Sequence, residues 1–296
     1  MVPLVTVICT CCNQEVFIQS ALDSVLEQKG VEVELFVIDN GSMDNSRKKI
    51  EQWVAENPGL AANLIFRDEA INYCRSFNEA LKLSRGEYLV DLSGDDKLLE
   101  RHLEKSVQKL QANPSAAICF SDAMIVEGGK KHGFYEKNRF GPPVIDCGDV
   151  YEKVIYQYCI STVTMVFRTS FLKEVSGYDE SLVYEDFDIV CRLARKHPFC
   201  FSEHVGVEKT QHATNFSLQQ YKSKDSKFLW STLWVCQKIR KMNRTETENR
   251  NLSKRTLHEA KHALLSGNRE VAREFLGLAE ELGYLGVRGR VMKMIC

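Results

Sequence analysis

Three short acidic stretches could do chemistry. Residues 90–96 read VDLSGDD and end in an adjacent carboxylate pair, Asp95 and Asp96. Residues 37–44 read VIDNGSMD, with Asp39 straight after an apolar run. Residues 184–188 read YEDFD, with Asp186 at the centre. Neighbouring carboxylates repel unless a cation or a helix N-terminus offsets them. Mg2+ and Mn2+ take oxygen ligands, often one or two carboxylates together with substrate phosphates. The competing reading is structural: Asp95 and Asp96 precede KLLERHLEK, and Asp186 precedes an apolar helical pattern, so each could simply favour a helix dipole.

A different chemistry sits near the far end. HEAKH (258–262) fits H-E-x-x-H, with His258 and His262 on one helical face, Glu259 beside them and Glu281 as a third ligand. That arrangement would make a zinc metalloprotease. It is the weaker reading, because the apolar stripe Leu257, Ala260 and Leu264 leaves the histidines on the flank of a charged helix with no sheet to form a cleft. No GxGxxG follows the first apolar run and no GxxxxGK[ST] occurs, which argues against a dinucleotide dehydrogenase or a P-loop enzyme.

The elements that must position these residues alternate. Residues 4–10, 33–39, 63–67 and 87–92 read as strands; 15–28, 44–57, 75–85 and 98–111 read as helices. Repeated β-α-β with short apolar strands implies a mostly parallel sheet covered on both faces. Ligands of such sheets lie at the carboxyl ends of the strands. There the chain sets Thr10 and Asn13 after the first strand, Asp39 to Asp44 after the second, and Ser93 to Asp96 after the fourth. Further on, 116–127 with Gly128-Gly129 reads as a strand and hairpin turn, 161–168 as a strand and 184–196 as a helix. From about 217 the pattern is helical, with a hairpin of 254–266 and 269–282. The expected organisation is an α/β domain over 1–216 and a helical C-terminal extension over 217–296.

Composition bounds the function classes. The chain has 296 residues, 44% of them hydrophobic and 27% charged, as expected of a globular protein. A net charge of −1 argues against a broad nucleic-acid-binding face. The eleven cysteines are scattered apart from the cluster Cys9, Cys11 and Cys12, show no CxxC…CxxC zinc spacing, and read as reduced, mostly buried small hydrophobes in a reducing compartment. No basic stretch followed by an apolar run opens the chain, and no uninterrupted apolar run of about 18 residues occurs. No secretion signal or membrane span is therefore expected, and a cytoplasmic location is.

The stretches VTVICTCCNQEVFIQSALDSVLEQ, ELFVIDNGSMDNS, RGEYLVDLSGDD and SGYDESLVYEDFDIVCRLAR, in this order, resemble family 2 of the inverting glycosyltransferases. The resemblance covers roughly residues 3–215. It implies a GT-A (nucleotide-diphospho-sugar transferase) fold and transfer of a sugar from a nucleotide sugar, a UDP-sugar first, to a glycan or lipid-linked acceptor, with Mg2+ or Mn2+. It implies Asp186 as catalytic base. It implies Thr10, Asn13, Asp39, Arg75, Asn78, Ser93 and Asp95 at the donor nucleotide, and Asp95, Asp96 and His212 at the metal. The family mostly builds bacterial surface polysaccharides and related glycans.

The chain departs from the usual P-x-Y-N, V-D-D-G-S-x-D and D-x-D-D at Cys12, Asn40 and Ser93. These changes motivate an alternative, a scaffold that binds nucleotide sugar without turnover. Residues 228–244 form a basic amphipathic pattern that fits packing on the domain first. Peripheral contact with the inner face of an anionic membrane is the second reading.

Overall fold

The computed structural model describes residues 2–138, 141–212, 221, 224 and 226–295. The expected alternation is present as β1 (Leu4–Cys11), α1 (Ile18–Leu26), β2 (Glu32–Asn40), α2 (Ser46–Glu56), β3 (Ala62–Arg67), α3 (Tyr73–Leu83) and β4 (Tyr88–Ser93). β1 pairs in parallel with β2 and β4, and β2 with β3. β1 is buried from Val5 onward and β2 from Glu34 onward. Strands covered on both faces carry unbroken apolar runs, which is why VTVIC and LFVI lack polar alternation.

The chain continues as β5 (Lys97–Leu98), α4 (His102–Ala112), β6 (Ile118–Glu127), β7 (Lys130–Gly133), α5 (Phe134–Lys137), β8 (Cys147–Gly148), α6 (Tyr151–Val154), β9 (Val166–Arg168), α7 (Thr169–Glu174), α8 (Asp186–Ala194) and β10 (Phe199–Gln211). The described strands form one sheet ordered β3-β2-β1-β4-β9-β6-β10-β5, with β7 on β6 and β8 on β10. β9 runs antiparallel to both β4 and β6, and β10 is parallel to β6. The carboxyl ends of β1, β2, β4, β6 and β10 therefore share one edge.

Three expectations need correction. The helix expected from residue 98 starts at His102, because Lys97 and Leu98 pair with Glu208 and Val207 of β10. The strand expected over 161–168 keeps only β9. Its first half is a 3-10 turn in which the Thr164 hydroxyl bonds the Ser161 carbonyl at 2.7 Å and accepts from the Ser121 N–H at 3.1 Å, competing with the ladder. Nor are all the cysteines reduced: Cys147 and Cys200 face each other in the β8–β10 register and form a disulfide, with Cα atoms 4.0 Å apart. Sequence spacing could not show that pairing, since it is created by strand register. Of the free cysteines described, Cys12 alone is exposed.

The helical extension consists of α9 (Lys227–Met242), α10 (Glu246–Leu265), α11 (Arg269–Glu281) and α12 (Gly286–Ile295). The beginning of the expected long helix and the 216/217 boundary lie outside the described residues. Thr245 and Glu248 cap α10 reciprocally, the Thr245 hydroxyl accepting from the Glu248 N–H at 3.1 Å and the Glu248 carboxylate from the Thr245 N–H at 3.2 Å.

The apolar face of α9 is buried against the α/β core: Leu229, Leu233, Cys236 and Ile239 belong to the same cluster as Phe77, Phe167 and Ile189. Two of its basic side chains are engaged as well. Lys238 bonds Asp188 at 2.9 Å and also Asp179, and Arg240 pairs with Glu281. The packing reading of this helix thus stands. Any membrane contact would fall to its remaining surface, where Trp234 is exposed. No helix among the described residues is long and apolar enough to cross a membrane.

A shared core predicts one cooperative unfolding transition. Leu233→Ala should lower the stability of the whole chain by about 2–5 kcal/mol, because it leaves a cavity in that core. Calorimetry that resolves two transitions, with only one moved by the substitution, would contradict a shared core.

Candidate active site

The donor edge is built by register. Thr10 lies beside Ile38 and Ser93, and Cys11 beside Asp39, so the ends of three strands meet. Asp39 is 1% exposed and accepts a hydrogen bond from the Ser42 N–H at 3.3 Å and another from the Ser42 hydroxyl. Asn13 adopts a left-handed φ of 54° and ties the first loop to the second. Its N–H donates to the Ser42 hydroxyl at 3.0 Å, and its side-chain oxygen accepts from the Met43 N–H at 2.8 Å. The Thr10 hydroxyl is buried without a hydrogen-bond partner among the described residues, a polar group left for something else to satisfy.

Two glycines allow the loops to close. Gly41 has φ +76°, and a Cβ there would lie 2.3 Å from the Ala70 nitrogen. At Gly94 a Cβ would meet the Gln14 side-chain oxygen at 2.7 Å. Asn40 holds the same neighbouring loop from both sides: its amide donates to the Ile71 carbonyl at 2.9 Å and accepts from the Ile71 N–H at 3.1 Å. A carboxylate could accept but not donate. The departure at residue 40 is therefore required by its partner, and the departure at residue 93 has a local use too, since the Ser93 hydroxyl donates to Asp95.

Asp95 and Asp96 are 7% and 3% exposed, on the turn after β4. His212 Nε2 lies 2.8 Å from an Asp95 oxygen, and the His212 ring stacks on Phe17 with centroids 5.0 Å apart. Asp96 accepts from the Thr210 N–H at 3.0 Å. Burial, and then the charge of Asp95, pushes the Asp96 carboxyl up to about 7. Among the described residues no group of three or more His, Cys, Asp or Glu side chains is placed to hold a metal ion; Asp95 and Asp96 offer carboxylate oxygens, the kind of ligand Mg2+ and Mn2+ take together with phosphate oxygens. Deeper along β4, Asp91 accepts from the Tyr73 and Tyr178 hydroxyls at 2.6 and 2.8 Å, which binds β4 to α3 and to the turn before α8.

Asp186 opens α8 and accepts from the Phe187 N–H at 2.6 Å. Burial raises its carboxyl above the usual value, and that of neighbouring Glu185 well above, with Asp186 and Asp91 adding to the latter. Asp186 lies on the wall of a cavity of about 710 Å³ that Lys209 also lines. The Lys209 ammonium is favoured by the Tyr158 hydroxyl first, then by Asp96, Asp186 and Asp95. Lys209 thus shares a cavity wall with Asp186 and feels the charge of the acidic pair as well.

Not every expected residue joins this site. Asn78 is buried and fully engaged elsewhere. It donates to the Tyr178 carbonyl at 2.8 Å and to Glu180 at 3.0 Å, and accepts from the Tyr178 N–H at 2.9 Å. These bonds pin the turn before α8. Arg75 lies in the first turn of α3 with a largely exposed side chain 3.5 Å from Glu79, and no contact ties it to the acidic edge.

The zinc reading also fails locally. Glu259, its general base, is 1% exposed and is held by Arg255 at 2.8 Å and by the Tyr221 hydroxyl at 2.7 Å. Glu281 pairs with Arg240. Sequence reasoning missed Lys209 and the part that α10 plays in the cavity. Lys209 and Gln211 share a strand face by alternation and both line it, a signal present in KTQH beside His212. Nothing local could have brought α10 to Asp186.

Comparison with known proteins agrees with this geometry. The model of glycosyl transferase family 2 matches residues 6–171. An uncharacterized glycosyltransferase of Rickettsia typhi is 24% identical, over 77% of this chain and 71% of its own. An uncharacterized protein of Mycobacterium bovis is 32% identical over 40% of this chain, and the match spans 35% of that relative's length. Among solved structures, S. aureus TarS in complex with UDP-GlcNAc superposes with a TM-score of 0.71 at 17% identity, over 94% of this chain and 80% of its own. The Pyrobaculum calidifontis mannosyltransferase in complex with GDP-Man and Mn2+ gives 0.63 at 18% identity, over 99% and 79%. These likenesses show the GT-A fold. The family match covers more than half of the chain and coincides with the acidic edge built above: the chain belongs to glycosyl transferase family 2.

Proposed function

We propose that this chain transfers a sugar from a nucleoside-diphosphate sugar to an acceptor hydroxyl with inversion. The observation that supports this reading is the buried pair Asp95 and Asp96 on the turn after β4 of a family 2 chain whose Asp186 and Lys209 line one cavity. A donor diphosphate on the strand ends and an acceptor in the cavity would place the sugar carbon between them.

Asp39, the Thr10 hydroxyl and the loop held by Asn13 would receive the nucleoside. Asp95, Asp96 and His212 would hold Mg2+ or Mn2+, which when bound offsets charge on the leaving diphosphate. Asp186 would take the proton of the attacking hydroxyl, the single base that one in-line displacement needs. Its raised carboxyl brings it nearer the working pH, which suits a base that must release the proton again. Lys209 would steady both the base and the diphosphate.

A UDP-sugar is the first donor to try, with a GDP-sugar next, since the two similar structures hold one of each. A glycan or lipid-linked acceptor in polysaccharide synthesis, met in the cytoplasm at the inner membrane face, is the setting that suits this chemistry. The hydrogen bonds of Asn40 and Ser93 favour turnover over a degenerate scaffold, since each serves the donor edge.

Three outcomes are expected. In a thermal-shift panel of nucleoside diphosphates, one of them together with Mn2+ should raise the melting temperature, and chelation or Asp96→Asn should remove the rise. A nucleotide shift that ignores both would contradict the metal assignment. Asp186→Asn should keep the shift and lower turnover about 10²–10⁴-fold; unchanged turnover would remove Asp186 from the mechanism. The base works deprotonated, so activity should climb with pH. Its acid limb should lie above the usual carboxylate range, because burial raises the Asp186 carboxyl. A kcat/KM profile flat down to that range would contradict the assignment.

A further inference from the structure

The cavity beside Asp186 has a far wall that the α/β domain does not supply. α10 brings Arg255, His258 and Glu259 to it. Two of the three are structural. Arg255 pairs with Glu259 at 2.8 Å and lies 4.4 Å over the ring of Phe187, the residue next to Asp186. This ion pair and its cation–π contact clamp α10 against the helix that carries the base.

His258 differs. It engages neither Arg255 nor the Glu259 clamp, and its recorded contact is ring to ring with His262 at 4.5 Å. Burial holds its imidazole below the usual value, so at neutral pH it offers one N–H donor and one acceptor nitrogen.

The rest of the lining describes what the cavity would take. Aromatic faces recur, from Phe134, Tyr156, Tyr158 and Tyr184, with the uncharged amides of Asn138 and Gln157 among them. Charges inside are largely matched: Arg255 by Glu259, and Lys209 by Asp186 and the acidic pair. Aromatic surface with neutral donors and acceptors suits a sugar ring, which shows C–H faces and a rim of hydroxyls. A volume of about 710 Å³ lies within the usual range for a small-ligand site.

We propose that α10 of the helical extension completes the acceptor subsite, and that His258 is a specificity-determining residue that hydrogen-bonds a hydroxyl of a neutral glycan acceptor. The proposal deepens the glycosyl-transfer reading and rests on it for the word acceptor. The HEAKH pattern is then explained without zinc: Glu259 anchors the helix and His258 faces the ligand.

The test is direct binding, which needs no turnover. Saturation-transfer NMR of the full chain with a panel of p-nitrophenyl glycosides should find at least one that binds. His258→Ala should weaken that binding roughly three- to tenfold, the size of one neutral hydrogen bond, and His258→Gln should restore part of it. The melting temperature of each variant serves as the folding control. No glycoside binding, or equal affinity in the parent and His258→Ala, would overturn the proposal. A glycoside that binds through His258 yet is never glycosylated by any nucleotide sugar would overturn the transfer reading and leave the subsite standing.

Discussion

The structure depends on how it manages negative charge at one edge of a sheet. Asp39, Asp95 and Asp96 lie where β2 and β4 end, almost wholly removed from water, and Asp186 opens α8. Buried carboxylates repel one another and resist ionisation, so something positive or hydrogen-bonding must face each of them. Ser42 serves Asp39. Ser93 and His212 serve Asp95. The Thr210 N–H serves Asp96, and the Lys209 ammonium is favoured by the charges of Asp96, Asp186 and Asp95. A divalent cation and a diphosphate would satisfy the same demand with complementary charges.

Helices then act as supports more than as containers. α3 uses Asn78 and Tyr73 to fix the turn before α8 and the depth of β4, so the start of α8 is held by contacts about a hundred residues away in the chain. α9 buries its apolar face in the same core, and its Lys238 reaches Asp188, two residues beyond the base. α10 grips Phe187 through Arg255. The extension thus belongs to the energetics of the site. A change in its packing would be felt at Asp186, although none of its residues performs the chemistry.

Much of this was legible in the sequence. The alternation of β-branched runs with amphipathic helices placed the strand ends, and the strand ends placed Thr10, Asp39, Ser93, Asp95 and Asp96 together. Local patterns carry that information because register in a parallel sheet follows from the order of the units. The partners of Asn78 on the turn before α8 were illegible because they are remote in the chain, and a buried amide looks the same in sequence whether it serves a ligand or a backbone. The Cys147–Cys200 pair and the α10 wall were illegible for the same reason. The departures at Asn40 and Ser93 looked like losses against a family pattern. In the fold each has a partner that the usual residue would not serve in the same way: Ile71, which needs both a donor and an acceptor, and Asp95, which needs a hydroxyl.

The central claim is a single displacement at the sugar carbon, with the leaving group held on the sheet edge and one base opposite. The most direct measurement is proton NMR of the sugar released when the enzyme slowly hydrolyses its nucleotide sugar, water standing in for the acceptor. The account predicts that the first anomer to appear has the configuration opposite to the donor's, before mutarotation mixes the two. First appearance of the donor's own configuration would mean two displacements or a front-face path, and would contradict the role given to Asp186.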